Sequence, residues 1–213
     1  MFPRNKNSVE TVFSSKRISG KQLVLDAGHG GEDGGAVSLT GVPESGINLA
    51  VVLKLDQLLG FYGVVPILLR ETDISLHDME ADTLRKKKVS DLRNRVSTIE
   101  RIENAVVISI HQNTFSNPVY HGAQVFFRED EKSKALADLV QEAFRNGLDP
   151  SNERTPTQIS DSVYLMKHIT CPAILVECGF LSNAEEEKKL RDDGYQIQLA
   201  LCITSAWLKS EKI

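Results

Sequence analysis

The sequence predicts a single α/β domain: a central, mostly parallel, twisted β-sheet of about six strands flanked by helices on both faces. Short apolar runs stopped by glycine or polar residues alternate with segments whose apolar residues recur at helical spacing. The chain has 213 residues, a length that one core can organise. Chemistry-bearing side chains also stand at the ends of three apolar runs, and in such sheets ligands bind outside the carboxyl ends of the strands.

Residues 1–20, MFPRNKNSVETVFSSKRISG, are polar and read as a leader or tether, which leaves 21–213 as the domain. QLVLDAG is the first strand. From Glu44 to Leu59, the residues Ile47, Val51, Leu55, Leu58 and Leu59 mark a helix, and Gly60 reads as its stop. VVPILLR is a second strand, with Pro66 pointing to an edge or an irregularity. A helix over 85–103 follows with the stripe Val89, Leu92, Val96, Ile99 and Ile102. AVVISIHQN and GAQVFFR are strands, and Glu131 to Arg145 is a helix. Residues 148–162 form a polar loop, VYLMKHI and PAILVECGF are two more strands, and helices close the chain near 184–191 and at 195–209.

Composition excludes several classes. Lys and Arg number 25 against 29 Asp and Glu, and the net charge of −4 carries no footprint for nucleic acid. The basic run Arg85 to Lys88 reads as the solvated face of a helix. Cys171, Cys178 and Cys202 are an odd count without C-x-x-C spacing, so neither a disulfide framework nor a zinc knuckle is suggested, and Cys178 and Cys202 read as small core residues. No apolar run approaches the ~18 residues of a transmembrane helix.

The chemistry concentrates at one edge of the predicted sheet. His29 follows the first strand inside the glycine-rich stretch DAGHGGEDGGA, His111 ends VVISIH, and Glu177 ends AILVE. Glu44 opens the first helix across the glycine loop from His29. Two histidines and a carboxylate are a common ligand set for catalytic zinc, which assigns His29, Glu44 and His111 to Zn2+. Glu177 is left as a carboxylate able to take a proton from water and deliver it to a leaving amine. Asp33, Arg95 and Asn113 are candidates for supporting the ligands or touching substrate.

Taken singly, each residue has a plainer reading. A histidine in a glycine turn can cap a helix, one at the end of an apolar strand can be a buried hydrogen-bonding residue, and Glu44 can be a first-turn acid favoured by the helix dipole. Glu177 is harder to explain away, because a carboxylate after AILV is costly to bury uncompensated.

Taken together, LDAGHGGEDGGA, Glu44, ISIHQN and LVECGFLSN form an ordered set that resembles the zinc-dependent N-acetylmuramoyl-L-alanine amidases of the third amidase type, from about Gln22 to Trp207. The resemblance implies hydrolysis of the amide between the lactyl group of muramic acid and L-alanine of the stem peptide. It also implies zinc at the positions of His29, Glu44 and His111, with the catalytic acid at Glu177. That family more often has proline where Ala27 stands, a change that removes no functional group. RETDISLHDMEADTLRKKKVSDLRNRV, GAQVFF and VYLMKHIT are most similar to the germination-specific amidases of endospore formers, which act on spore cortex peptidoglycan in the first step of muramic-δ-lactam formation. The likeness implies peptidoglycan as partner, a possible lipoprotein activator, and export beyond the cytoplasmic membrane or into the forespore intermembrane space. Because 1–20 lacks a signal-like apolar region, the export signal or anchor is expected to have been trimmed.

The rivals are a vegetative wall amidase of autolysin type, a cysteine amidase using Cys178 with Glu177, and a catalytically weak peptidoglycan-binding module that needs an activator. Adjacent strand residues point to opposite faces, which disfavours a shared site for Cys178 and Glu177. A binding module would be expected to have lost a ligand or the acid, and all four residues are present.

Overall fold

The computed structural model describes residues 20–210, so most of the proposed leader lies outside the described residues. In chain order the elements are β1 (Gln22–Ala27), α1 (Glu44–Phe61), β2 (Ile67–Leu68), α2 (Leu84–Glu100), β3 (Ala105–Asn113), β4 (Gln124–Phe127), α3 (Glu131–Gly147), β5 (Thr157–Gln158), α4 (Tyr164–His168), β6 (Ala173–Phe180), α5 (Ala184–Leu190) and α6 (Asp193–Ser210).

The six strands form one sheet in the order β2-β1-β3-β6-β4-β5. β2, β1, β3 and β6 are parallel, while β4 pairs antiparallel with β6 and parallel with β5. The reversal has a simple cause. Parallel neighbours need a crossover, and helices supply it from β1 to β2 and from β2 to β3; the ten residues between β3 and β4 contain no helix and turn the chain back.

Alternation along the strands divides the core into two faces. Leu23 and Leu25 of β1 and Val106, Ile108 and Ile110 of β3 pack with Val51 and Leu55 of α1, Phe144 of α3 and Ile203 and Trp207 of α6. On the other face Val24 and Val107 meet Ile99 of α2 and Leu165 and Met166 of α4. Thus α1 and α2 lie on opposite faces, while the strands they lead to flank β1 on opposite sides. This is the switch point at which such sheets open a crevice; His29 follows β1, and His111 lies near the carboxyl end of β3.

Four expectations need correction. VYLMKHI is not a strand: Tyr164–His168 is a short helix, because Leu165, Met166 and Ile169 recur at helical spacing and all three are buried on one side. The sixth strand instead comes from the predicted loop, as the exposed pair Thr157–Gln158 at the sheet edge. On α2, Ile99 is buried and Val96 and Ile102 pack against the same cluster, but Asp91 and Arg95 share that buried side and Val89 is exposed. Gly60 also lies inside α1, which runs to Phe61 before Gly63 turns the chain at φ +76°.

Helix starts follow ordinary capping rules. Thr83, Asp130 and Asn183 accept hydrogen bonds from the first turns of α2, α3 and α5. α1 begins after Pro43 with no side-chain cap, so the Glu44 carboxylate in its first turn is used elsewhere.

Candidate active site

The loop after β1 is held from below by two buried arginines. Arg70 donates from Nε to the Ala27 carbonyl (2.9 Å) and from Nη2 to those of Gly28 (3.1 Å) and Ser45 (2.8 Å). Arg95 donates from Nη1 to Ala27 O (3.0 Å) and from Nη2 to His29 O (2.8 Å). Its charge is met by Asp91 (2.7 Å) and by Asp26, which also accepts from Ser109 Oγ at 2.5 Å. Burial opposes the Asp26 charge, yet Arg95 and Ser109 hold its carboxyl below the usual range. Arg95 is 2% exposed, so its part is support and not contact with substrate. Arg70 was not singled out from the sequence; an arginine closing an apolar strand was the available signal.

On this footing His29 takes φ +61°, a left-handed conformation unusual for a residue with a side chain. Two glycines make room around it. A Cβ on Gly28 would overlap the His111 ring, and one on Gly35 would overlap the Glu44 carboxylate and crowd the His29 ring.

His29 Nδ1 lies 3.0 Å from Asp33 Oδ2, and its Nε2 faces Glu44 Oε1 at 3.1 Å. His111 presents Nδ1 to Glu44 Oε2 at 3.5 Å. A carboxylate on Nδ1 fixes the tautomer that leaves Nε2 as the ligating atom, the usual support for a metal-binding histidine. Asp33 therefore holds the His29 ring, and Lys88 reaches Asp33 at 3.3 Å. The basic run consequently has two roles: Arg85 and Lys86 are solvated, while Lys87 and Lys88 pair with Glu32 and Asp33 over the glycine loop.

Glu44 is the hub. Its Oε1 accepts from Ala36 N (2.8 Å), and its Oε2 from Gln112 N (2.9 Å) and Asn48 Nδ2 (3.3 Å). Asn48, one turn along α1, also bonds Gly28 O and Gln112 Nε2. It is a supporting residue whose signal was the Glu44 to Asn48 spacing of four. Burial works against the Glu44 charge, but bonds from His111 and His29 hold its carboxyl well below the usual range. Burial alone would lower His29; Asp33 and Glu44 instead raise it to about 9. The bond from His29 likewise keeps Asp33 well below its ordinary value. This negative field favours a cation. The donor atoms of His29, Glu44 and His111 lie within 4.8 Å of one another and form a possible metal site.

Glu177 sits on β6 directly beside His111 in the strand register. Burial, helped by the nearby Glu44 charge and opposed by the two histidines, pushes its carboxyl up to about 7. Its Oε2 is buried without a hydrogen-bond partner among the described residues. Cys178 points to the opposite face, among the α1-side core residues, with its thiol raised far above the ordinary value by burial; both facts argue against a cysteine nucleophile. Asn113 lies past a register shift after His111 and pairs with Phe180 through the backbone. No side-chain hydrogen bond ties it to His29, Glu44 or His111 among the described residues.

The family model described as N-acetylmuramoyl-L-alanine amidase matches residues 23–208. The germination-specific N-acetylmuramoyl-L-alanine amidase of Bacillus subtilis (strain 168) is 35% identical over 196 residues, which cover 90% of this chain and 80% of that protein. Among solved structures, the CwlD amidase from Clostridioides difficile in complex with the GerS lipoprotein is 40% identical with a TM-score of 0.85, covering 89% of this chain and 98% of that one. AmiC2 of Nostoc punctiforme is 27% identical with a TM-score of 0.75, covering 92% and 99%.

Proposed function

Since the chain belongs to the N-acetylmuramoyl-L-alanine amidase family and is a peptidoglycan amidase, we propose that it is a zinc hydrolase whose metal is held by His29, Glu44 and His111 and whose proton shuttle is Glu177. The observation that carries the reading is the meeting of three donor side chains within 4.8 Å beside a buried carboxyl with an unpartnered oxygen. Two imidazoles and a carboxylate suit zinc, and the missing Cβ of Gly28 leaves the space that the His111 ring occupies.

Bound there, the ion supplies Lewis acidity toward the lactyl carbonyl and lowers the pKa of an attacking water to ~7. Asp33 keeps the His29 ring aimed, while Ala36 N, Gln112 N and Asn48 keep Glu44 from turning away. Glu177 takes one proton from the water as its oxygen adds to the carbonyl carbon. It returns that proton to the alanine nitrogen as the C–N bond breaks, and the second water proton leaves the new lactyl carboxyl for the amine, giving a lactyl carboxylate and a protonated L-alanine amine. A carboxyl at about 7 is matched to both halves of that task near neutral pH.

The substrate we propose is spore cortex peptidoglycan, with the cleavage opening the way to muramic-δ-lactam; the germination-specific relative supports this. The GerS lipoprotein bound to the similar CwlD amidase supports a lipoprotein partner here. Such work requires export beyond the cytoplasmic membrane or into the forespore intermembrane space. No helix among the described residues is long and apolar enough to cross a membrane. The test is metal analysis of the purified chain followed by product mass on cortex and vegetative peptidoglycan. Release of peptides with a free N-terminal L-alanine, dependent on zinc and favoured on cortex, is the expected result. Full activity after complete chelation would overturn the metal assignment, and equal action on both walls would overturn the cortex assignment.

A further inference from the structure

Beyond Glu177 the same sheet edge carries a guanidinium with no acid to answer it. Arg154 donates from Nε to His121 O and from Nη1 to Gln124 Oε1, both at 2.8 Å, and its Cζ lies 4.7 Å from the centre of the Phe180 ring. Its Nη2 makes no hydrogen bond, and no carboxylate pairs with it among the described residues. A guanidinium fixed by two acceptors and stacked on a ring has little freedom left to lose, and its remaining donors suit a carboxylate.

Its position has a direction. Across adjacent strands the side chains run His29 after β1, His111 on β3, Glu177 on β6 and Gln124 on β4, with Gln124 directly opposite Glu177. Gln124 stands about one strand spacing, ~4.8 Å, from Glu177 on the side away from His111, and Arg154 is hydrogen-bonded to the Gln124 side chain beyond it. Glu177 returns its proton to the alanine nitrogen, so the leaving peptide lies on its side of the scissile bond. An extended chain advances ~3.3–3.6 Å per residue, which brings the residue after L-alanine toward Arg154. The Phe180 ring beneath is stacked by Tyr120, 45% exposed, so the guanidinium borders an aromatic floor.

We propose that Arg154 is a specificity-determining residue that takes the carboxylate of the second residue of the stem peptide. The inference rests on the amidase reading of the site. It makes the enzyme selective for stems whose second residue is a free acid over stems in which that acid is an amide.

The test compares zinc-loaded enzyme on two peptidoglycan preparations that differ only in whether the second stem residue carries a carboxylate or a carboxamide. The wild type is expected to favour the acid by on the order of 10- to 100-fold in kcat/KM, the range of a charge-assisted hydrogen bond. Arg154→Gln should bring the ratio within about threefold by losing rate on the acid alone, and Arg154→Lys should fall between, since an ammonium keeps the charge without the fork. Zinc content and the thermal midpoint check the fold of each variant. Should Arg154→Gln fail to fold, competition by L-alanyl-D-glutamate against its amide on the wild type carries the test. Equal wild-type rates on the two preparations, or a variant that slows both equally, would overturn the proposal. Release of no L-alanine-terminated peptide from either would instead overturn the amidase reading on which it stands.

Discussion

Replacing Glu177 by glutamine should make the metal-free protein more stable and the zinc-loaded protein inactive. A carboxyl that titrates near 4.5 when free and at about 7 in the fold is bound more tightly to its proton by the folded chain. Stability associated with it is thus fully present below pH 4.5, declines as pH rises through 7, and stays lost above. One pH unit corresponds to ~1.36 kcal/mol, so the full cost of ionising Glu177 is about 3 kcal/mol. Glutamine keeps the shape without the titration. Metal-free Glu177→Gln should match metal-free wild type near pH 4 and exceed it at pH 8 by up to about 3 kcal/mol, read from urea unfolding of the chelated proteins. With zinc restored, the variant should keep its metal and lose at least ~10²-fold in turnover, because an amide cannot accept the proton of water. A variant no more stable than wild type at pH 8 would mean that the Glu177 carboxylate is compensated in the fold. Full activity would mean that another group carries the proton, and loss of metal would make Glu177 a ligand.

His29→Ala and His111→Ala should each lower bound zinc, measured by elemental analysis, and abolish peptide release; Glu44→Ala should do the same, less severely if water fills the vacated place. Gly28→Ala should leave the circular dichroism spectrum unchanged while reducing zinc affinity, because its Cβ would displace the His111 ring. Arg95→Met leaves Asp26 and Asp91 buried beside an apolar side chain and should cost about 3–5 kcal/mol in urea unfolding. Asp26→Asn placed on Arg95→Met should recover part of that loss, so that the pair is non-additive. In the wild type, the depressed Asp26 carboxyl contributes stability above its free value near 3.8 that is lost as pH falls through the folded one.

Sequence patterns revealed the strands and helices wherever apolar residues kept a clear period over enough length. QLVLDA, AVVISIHQN and AILVECGF are buried strands because near-continuous apolar runs in a parallel sheet meet helices on both sides. The pattern failed where segments were short. VYLMKHI offers seven residues, too few to separate a buried strand from a turn of helix, and Thr157–Gln158 joins the sheet only because β4 offers it a free edge.

Of the site, the sequence by itself determined the ingredients: His29, His111 and Glu177 at strand ends, Glu44 at a helix start, and glycines where side chains would not fit. Local chemistry sets these, since strand ends and glycine turns are written in neighbouring residues. What only the tertiary structure decided is how the ingredients are held. Arg95, a candidate for support or substrate contact, is a buried clamp under the loop. Asp33, also such a candidate, aims His29. Arg70, Asn48 and Arg154 gave no strong signal at all, because hydrogen bonds such as Arg70 to Gly28 and Arg154 to Gln124 join residues 42 and 30 positions apart. Such pairings are set by how strands are ordered across the sheet, and strand order emerges only when both faces of the sheet are packed.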